Sequence, residues 1–141
     1  MDYPRPPRVE PCVGRVRVEH AGVTIADSTR AKRVLETTHP PTIYIPREDL
    51  NAGAFKPAAS KRQTICEWKG AADYYDVEVR GRRSENAAWH YPEPVTAYAE
   101  LADHVAIYPG RVDACYIDGE RVTPEQGDFY GGWITGEIEL D

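Results

Sequence analysis

The sequence predicts a mainly β fold: a single compact domain of bent antiparallel sheets and hairpins, with at most one or two short helices. Three observations carry that expectation. Short segments of alternating polar and apolar residues recur along the chain, as in half-buried strands. Turns centred on Gly22, Gly81 and Gly119 separate them. Only short stretches show the three- and four-residue spacing of a helix, the best of them between Val95 and Val105. At 141 residues the chain suffices for one domain, since that length buries roughly 68–70% of its unfolded surface.

The elements follow in order. Residues 1–14 contain Pro4, Pro6, Pro7 and Pro11 and read as a proline-rich extended arm rather than a packed element. Residues 15–122 then form the β domain. Val16 and Val18 alternate with Arg15, Arg17 and Glu19, His20-Ala21-Gly22 turns the chain, and Val23 to Ala26 returns as a second strand. Ser28 to Glu36 fits a short helix capped by Ser28 or a strand, and the strand reading is favoured. Thr42 to Ile45 is strand-like and Arg47 to Leu50 at most one helical turn. Residues 51–62 read as a polar loop. Thr64, Cys66 and Trp68 share one face of the next strand, and Lys69-Gly70-Ala71 is a turn. Tyr75, Val77 and Val79 point one way while Asp76, Glu78 and Arg80 point the other; Gly81 reverses the chain into a partner over Arg82 to Ala87. Trp89 to Pro94 is extended. Val95 to Val105 is the best helix candidate. Ala106 to Tyr108 and Ala114 to Ile117 are strands, and Asp118-Gly119 is the preferred pair for a tight hairpin. Residues 123–141, with four glycines and Phe129, Tyr130 and Trp133, form a tail expected to lie over the domain surface or a neighbouring subunit.

Composition excludes several classes. No apolar run approaches the ~20 residues of a spanning helix, and Met1 to Pro11 has no apolar stretch for a signal peptide. Cys12, Cys66 and Cys115 contain no close pair, which argues for reduced thiols and a cytoplasmic protein. The net charge of −6 hides an asymmetry: residues 1–70 carry 12 Lys/Arg against 8 Asp/Glu, residues 71–141 only 5 against 15. Nine Tyr and three Trp against two Phe give most rings a polar handle, which suits a ligand pocket.

Chemistry-bearing patterns are sparse. His20, His39, His90 and His104 are scattered and the cysteines unpaired, so zinc is disfavoured and no cofactor is expected. Cys66, with Lys69 across a turn, is the one cysteine placed to become a nucleophile; a buried small hydrophobe gives the same pattern. Asp76 and Glu78, two residues apart on one strand face after Gly70, have the spacing of a Mg²⁺ pair, although polar alternation on a solvent-facing strand would produce it too. Arg80, Arg82 and Arg83 lie in an acidic half, which disfavours nucleic acid as a partner.

Taken together, Val16-Arg17-Val18, Asp27-Ser28-Thr29-Arg30-Ala31, Leu35-Glu36-Thr37, His39-Pro40-Pro41 and Tyr44-Ile45-Pro46-Arg47-Glu48-Asp49 resemble domain-of-unknown-function family 427. Thr64 and Cys66 ahead of Lys69-Gly70, Tyr74-Tyr75, Asn86-Ala87-Ala88-Trp89 with Tyr91-Pro92, and Val105-Ala106-Ile107-Tyr108 keep the order, over roughly residues 15 to 122. The resemblance implies a β-tent-like architecture, similar to methionine sulfoxide reductase B and formaldehyde-activating enzymes. Those relatives often hold zinc on paired cysteines, which this chain lacks.

The family-like residues expected to line a pocket are Arg30, Glu36, Tyr44, Cys66, Lys69, Trp89 and Tyr91. In that reading Tyr44, Lys69, Trp89, Tyr91 and Arg30 bind a small ligand, an anionic one if Lys69 and Arg30 hold it, while Glu36 and Cys66 carry any catalysis. Two alternatives stand beside it. One is a non-catalytic protein-interaction module, with a homo-oligomer open through arm or tail. The other is the nucleotidyltransferase that the family is labelled as, using Mg²⁺ on Asp76 and Glu78.

Overall fold

Period-two alternation decides the architecture, because the main sheet is covered on both faces. The computed structural model describes residues 6–36, 40–66, 68–125 and 131–136. Its strands are β1 (Arg8–Pro11), β2 (Val16–His20), β3 (Val23–Ser28), β4 (Lys32–Leu35), β5 (Thr42–Pro46), β6 (Phe55–Pro57) and β7 (Gln63–Cys66). They continue as β8 (Gly70–Val79), β9 (Arg82–His90), β10 (His104–Ile107), β11 (Ala114–Ile117), β12 (Glu120–Arg121), β13 (Thr123–Pro124) and β14 (Trp133–Ile134). An eight-stranded sheet runs β1-β4-β5-β10-β9-β8-β6, with β7 also on β8. A four-stranded sheet runs β12-β11-β2-β3, and β13 pairs with β14. Every pairing is antiparallel among the described residues. The fold is therefore mainly β, as the alternation predicts.

The three expected hairpins form. Their central pairs, Ala21-Gly22, Arg80-Gly81 and Asp118-Gly119, all have positive φ, the backbone whose twist matches the flanking strands. Ile43 and Ile45 of β5, Val105 and Ile107 of β10 and Val77 of β8 pack against Val16, Val18 and Ile25 of the smaller sheet. The residues between them turn the other way. Tyr44, Ala106 and Tyr74 join Trp89, Tyr91, Tyr98, Leu101 and Tyr108 in a second, aromatic cluster. Each large side chain buried in either layer contributes about 1.5–3 kcal/mol of transfer free energy.

Four expectations are corrected. The arm is built into the sheet in its described part: β1 pairs with β4, and Tyr98 Oη donates to the Pro7 carbonyl at 2.8 Å. Prolines are tolerated there because an edge strand needs backbone pairing on one side only. The 51–62 loop contains β6, paired to β8 from Phe55 to Pro57. The helix of 95–105 is a 3-10 segment, Thr96–Leu101, kinked at Tyr98, with Val105 already in β10. Tyr98 and Leu101 are its buried residues, and a three-residue spacing is what the tighter 3-10 turn places on one face. The tail reaches the core: Trp133 is 1% exposed, donates Nε1–H to the Ile107 carbonyl at 3.1 Å and N–H to the Pro41 carbonyl at 2.8 Å. Its indole has both a large apolar surface to bury and a donor that finds an acceptor. Phe129 and Tyr130 lie outside the described residues. No helix among the described residues is long and apolar enough to cross a membrane.

Candidate functional site

The aromatic face of the large sheet opens into a cavity of about 290 Å³. Its floor is a register effect. Ala106 of β10 pairs with Tyr44 on one side and Trp89 on the other, and Trp89 pairs in turn with Tyr74. These residues form a row across four strands, pointing to one face. The small Ala106 lets the flanking rings meet edge-to-face with centroids 6.1 Å apart, and Trp89 Nε1–H donates to Tyr44 Oη at 3.3 Å. Tyr91 stacks on Tyr44 at 6.3 Å and Tyr108 lies 4.5 Å from Trp89. Burial pushes the Tyr44, Tyr91 and Tyr108 hydroxyls well above the ordinary phenol range, so each stays a neutral O–H near pH 7.

Lys69 enters this ring cluster from the turn between β7 and β8. Its carbonyl accepts the Val95 N–H at 2.9 Å, pressing the turn against the segment that follows Tyr91. Gly70 makes that approach possible: its φ is +118° and a Cβ there would lie 3.3 Å from the Glu93 carbonyl oxygen. Lys69 is thereby sent inward and is 4% exposed. Its ammonium donates to Glu36 Oε1 and lies 5.9 Å from the centre of the Tyr91 ring. Glu36 is its one hydrogen-bond acceptor among the described residues, and an ammonium has three N–H donors. The Glu36 side chain is 39% exposed, at the mouth of the cavity. Cys66, half-buried at the end of β7, adds a thiol to the wall.

Six of the seven expected residues, Glu36, Tyr44, Cys66, Lys69, Trp89 and Tyr91, thus line one cavity. Arg30 does not. Its guanidinium pairs with Glu48 and Asp49, both at 2.8 Å, on an exposed surface, while Glu36 takes Lys69 instead. Sequence reasoning missed Thr42, Thr64, Tyr74, Tyr108, Glu125 and Gly131 as lining residues. Thr64, 3.1 Å from the Tyr74 hydroxyl, and Tyr74 itself stand in the family-like pattern; Tyr108, two residues beyond Ala106, follows from alternation. Glu125 and Gly131 gave no signal. Gly131 lies so close to Trp89 that a Cβ there would sit 2.4 Å from the indole Cη2.

Asp76 and Glu78 do not fit a Mg²⁺ site. Between Tyr75 and Val77 the β8–β9 register shifts, so residues 85–87 bulge opposite Asp76, with Asn86 at φ +52°. Asp76 is 1% exposed and fills its carboxylate with protein donors: Asn86 N–H on Oδ1 at 2.8 Å, and Arg83 Nε and Nη2 (2.9 and 2.7 Å) and Ala59 N–H (3.2 Å) on Oδ2. Burial alone would raise its pKa; the Asn86 N–H, Arg83 and Ala59 N–H outweigh burial and hold it below the usual carboxylate range. Glu78 is drawn to Arg83 as well, at 3.5 Å. The pair is a brace for the bulge. Among the described residues no group of three or more His, Cys, Asp or Glu is arranged to hold a metal ion.

No curated protein matches the chain. The family model for a domain of unknown function, DUF427, matches residues 8–118, which takes in every sheet residue of the cavity, and the chain belongs to that family.

Proposed function

We propose that the cavity binds a small polar molecule and that Lys69 holds one of its hydrogen-bond-accepting groups. The observation that carries this is the buried ammonium. Taking a charge out of water costs several kcal/mol unless its donors are satisfied. Glu36, itself partly in water, takes one of the three N–H groups. A ligand carboxylate or carbonyl supplies what the protein does not. Around it, Tyr44, Trp89 and Tyr91 offer ring faces and neutral hydroxyls, the mixture typical of small-molecule sites. The volume of about 290 Å³ suits a metabolite of modest size and not a dinucleotide. Should the pocket also turn its ligand over, Glu36 as acid or base and Cys66 as nucleophile are the groups in place. Cys12, Cys66 and Cys115, each a thiol, support a reducing, cytoplasmic setting.

The test is a thermal-shift screen of small carboxylates, amino acids, nucleotides and carbonyl compounds. A ligand at a hundredfold excess over Kd stabilises by about 2.7 kcal/mol. The expected result is a shift in the wild type that Lys69→Met loses while its own unfolding remains cooperative. A flat screen, or a shift undiminished in Lys69→Met, overturns the proposal.

One observation favours the interaction-module reading: Ile65 on β7 is 85% exposed, an apolar patch open to solvent, and Trp68 and Val95 are exposed as well. If this patch joins two copies, light scattering detects a dimer that Ile65→Lys dissolves; a monomer at millimolar concentration rejects it.

A further inference from the structure

The Lys69–Glu36 couple is balanced in charge but not in hydrogen bonds. One ammonium meets one carboxylate in direct contact, so the formal charges cancel. Donors and acceptors do not cancel. Lys69 has three N–H groups, and Glu36 Oε1 takes one of them. On the other side, Glu36 Oε2 takes no donor among the described residues, and the side chain is part-exposed at the cavity mouth. The wall thus holds a donor and an acceptor side by side, each with capacity left.

These facts restrict both the charge and the shape of the ligand. An anion on Lys69 would set a second negative charge beside Glu36, and the described lining residues offer it no other cation. The remaining charged residue of the lining, Glu125, is a carboxylate that already accepts the Gly132 N–H. Tyr44 and Tyr91 do not alter the balance, since burial keeps their hydroxyls neutral. A cation would leave the two spare N–H groups of Lys69 unfilled. A neutral molecule with an acceptor next to a donor answers both partners and adds no charge. We infer that the ligand presents a primary carboxamide, its carbonyl oxygen accepting from Lys69 and its N–H donating to Glu36 Oε2. The edge matters: a primary amide has one N–H on the same side as its carbonyl oxygen, in one rigid plane, whereas a trans secondary amide has its N–H on the opposite side. This rests on the binding reading above and narrows its ligand to one neutral group.

NMR titration of the whole chain with four small probes tests the pairing. Propionamide carries the acceptor and the donor on one edge. N-methylpropionamide moves the N–H to the far edge, propionate replaces the amide by a charge, and propane-1,2-diol replaces it by hydroxyls. The expected result is that propionamide binds at least tenfold tighter than each of the other three, and that Lys69→Met abolishes its binding. Glu36→Gln, at a part-exposed position, is expected to reverse the order so that propionate overtakes propionamide, because the ammonium charge is then unmatched. Propionate binding the wild type as tightly as propionamide, with affinity lost in Lys69→Met, would overturn the carboxamide while keeping the binding reading. A matching N-methylpropionamide or diol would also overturn it, as would an order unchanged in Glu36→Gln. If none of the four probes binds at tens of millimolar, the carboxamide falls, and the binding reading falls with it only when the wider screen is flat too.

Discussion

Replacing Asp76 with alanine removes one carboxylate and strips four donors of their acceptor. The donors are not equal. Ala59 is exposed, so its N–H turns to water, and the Arg83 side chain, 35% exposed, rehydrates and is given no share of the cost. The Asn86 N–H is different: it points inward from a bulge whose ladder bonds are already interrupted, and an orphaned, largely buried donor costs about 1–3 kcal/mol. We therefore expect Asp76→Ala to lower stability by about 2 kcal/mol. For a domain of this size that corresponds to a Tm drop of about 4–8 °C. Urea unfolding followed by tryptophan fluorescence reads it directly, because Trp89 and Trp133 are both buried. The pH dependence adds a second handle. With its native pKa held below the ordinary value of about 3.9, Asp76 contributes its full stability above that pH. The contribution is lost as pH falls through the lower native value, so the gap between wild type and variant narrows below about pH 4. A midpoint unchanged at equal slope would refute the brace. So would Mg²⁺ that raised the Tm of the wild type and not of the variant, since that is the behaviour of a metal ligand.

Three further outcomes follow from the same geometry. Cys66, part-exposed in the cavity wall, is expected to react with iodoacetamide at least tenfold faster than Cys12 and Cys115, both buried, the Cys115 thiol also being pushed up by burial; peptide mapping showing equal rates would contradict the placement. Trp133→Ala is expected to cost about 3–5 kcal/mol in urea unfolding, the range for emptying a core aromatic; a loss below about 1 kcal/mol would mean that the tail only drapes the surface. Arg30→Gln is expected to leave both the unfolding midpoint and every ligand-induced thermal shift as in the wild type, and a lost shift would return Arg30 to the site.

Much of the cavity was legible because strand geometry converts residue parity into facing. Once Ile43 and Ile45 are assigned inward, Tyr44 must point to the other side, and the same parity places Ala106 and Tyr108 opposite Val105 and Ile107. The hairpins were legible because Asp118-Gly119 and its counterparts have few other conformations as good. What escaped depends on contacts between distant segments. Prolines in β1 looked like the mark of an unpaired arm, and only the position of β1 at a sheet edge reconciles them with pairing. Asp76 alternates correctly with Tyr75 and Val77, yet the face it points to is covered by the Ala58–Ala59 loop and the bulge at Asn86, so parity did not predict solvent. Arg30 and Glu36 carry opposite charges six residues apart, but β4 lies between them and sends each to a different partner. Glu125 has no local signature at all; it reaches the cavity because Trp133 anchors the returning chain in the core.

The two faces of the main sheet differ in a way that ties the core to the site. The aliphatic face can be dry: valines, isoleucines and alanines bring no polar atom that burial would orphan. The opposite face cannot, because its bulk comes from Tyr44, Tyr74, Tyr91, Tyr98 and Tyr108, and each ring brings a hydroxyl that needs a partner. Some find one within the protein: Tyr98 donates to the Pro7 carbonyl, Tyr44 accepts from Trp89, and Tyr74 lies beside Thr64. With Lys69 and Glu36 added, filling the remaining space with apolar side chains would strand the lysine's other donors. On the binding reading proposed above, a polar occupant of the cavity is what would satisfy them.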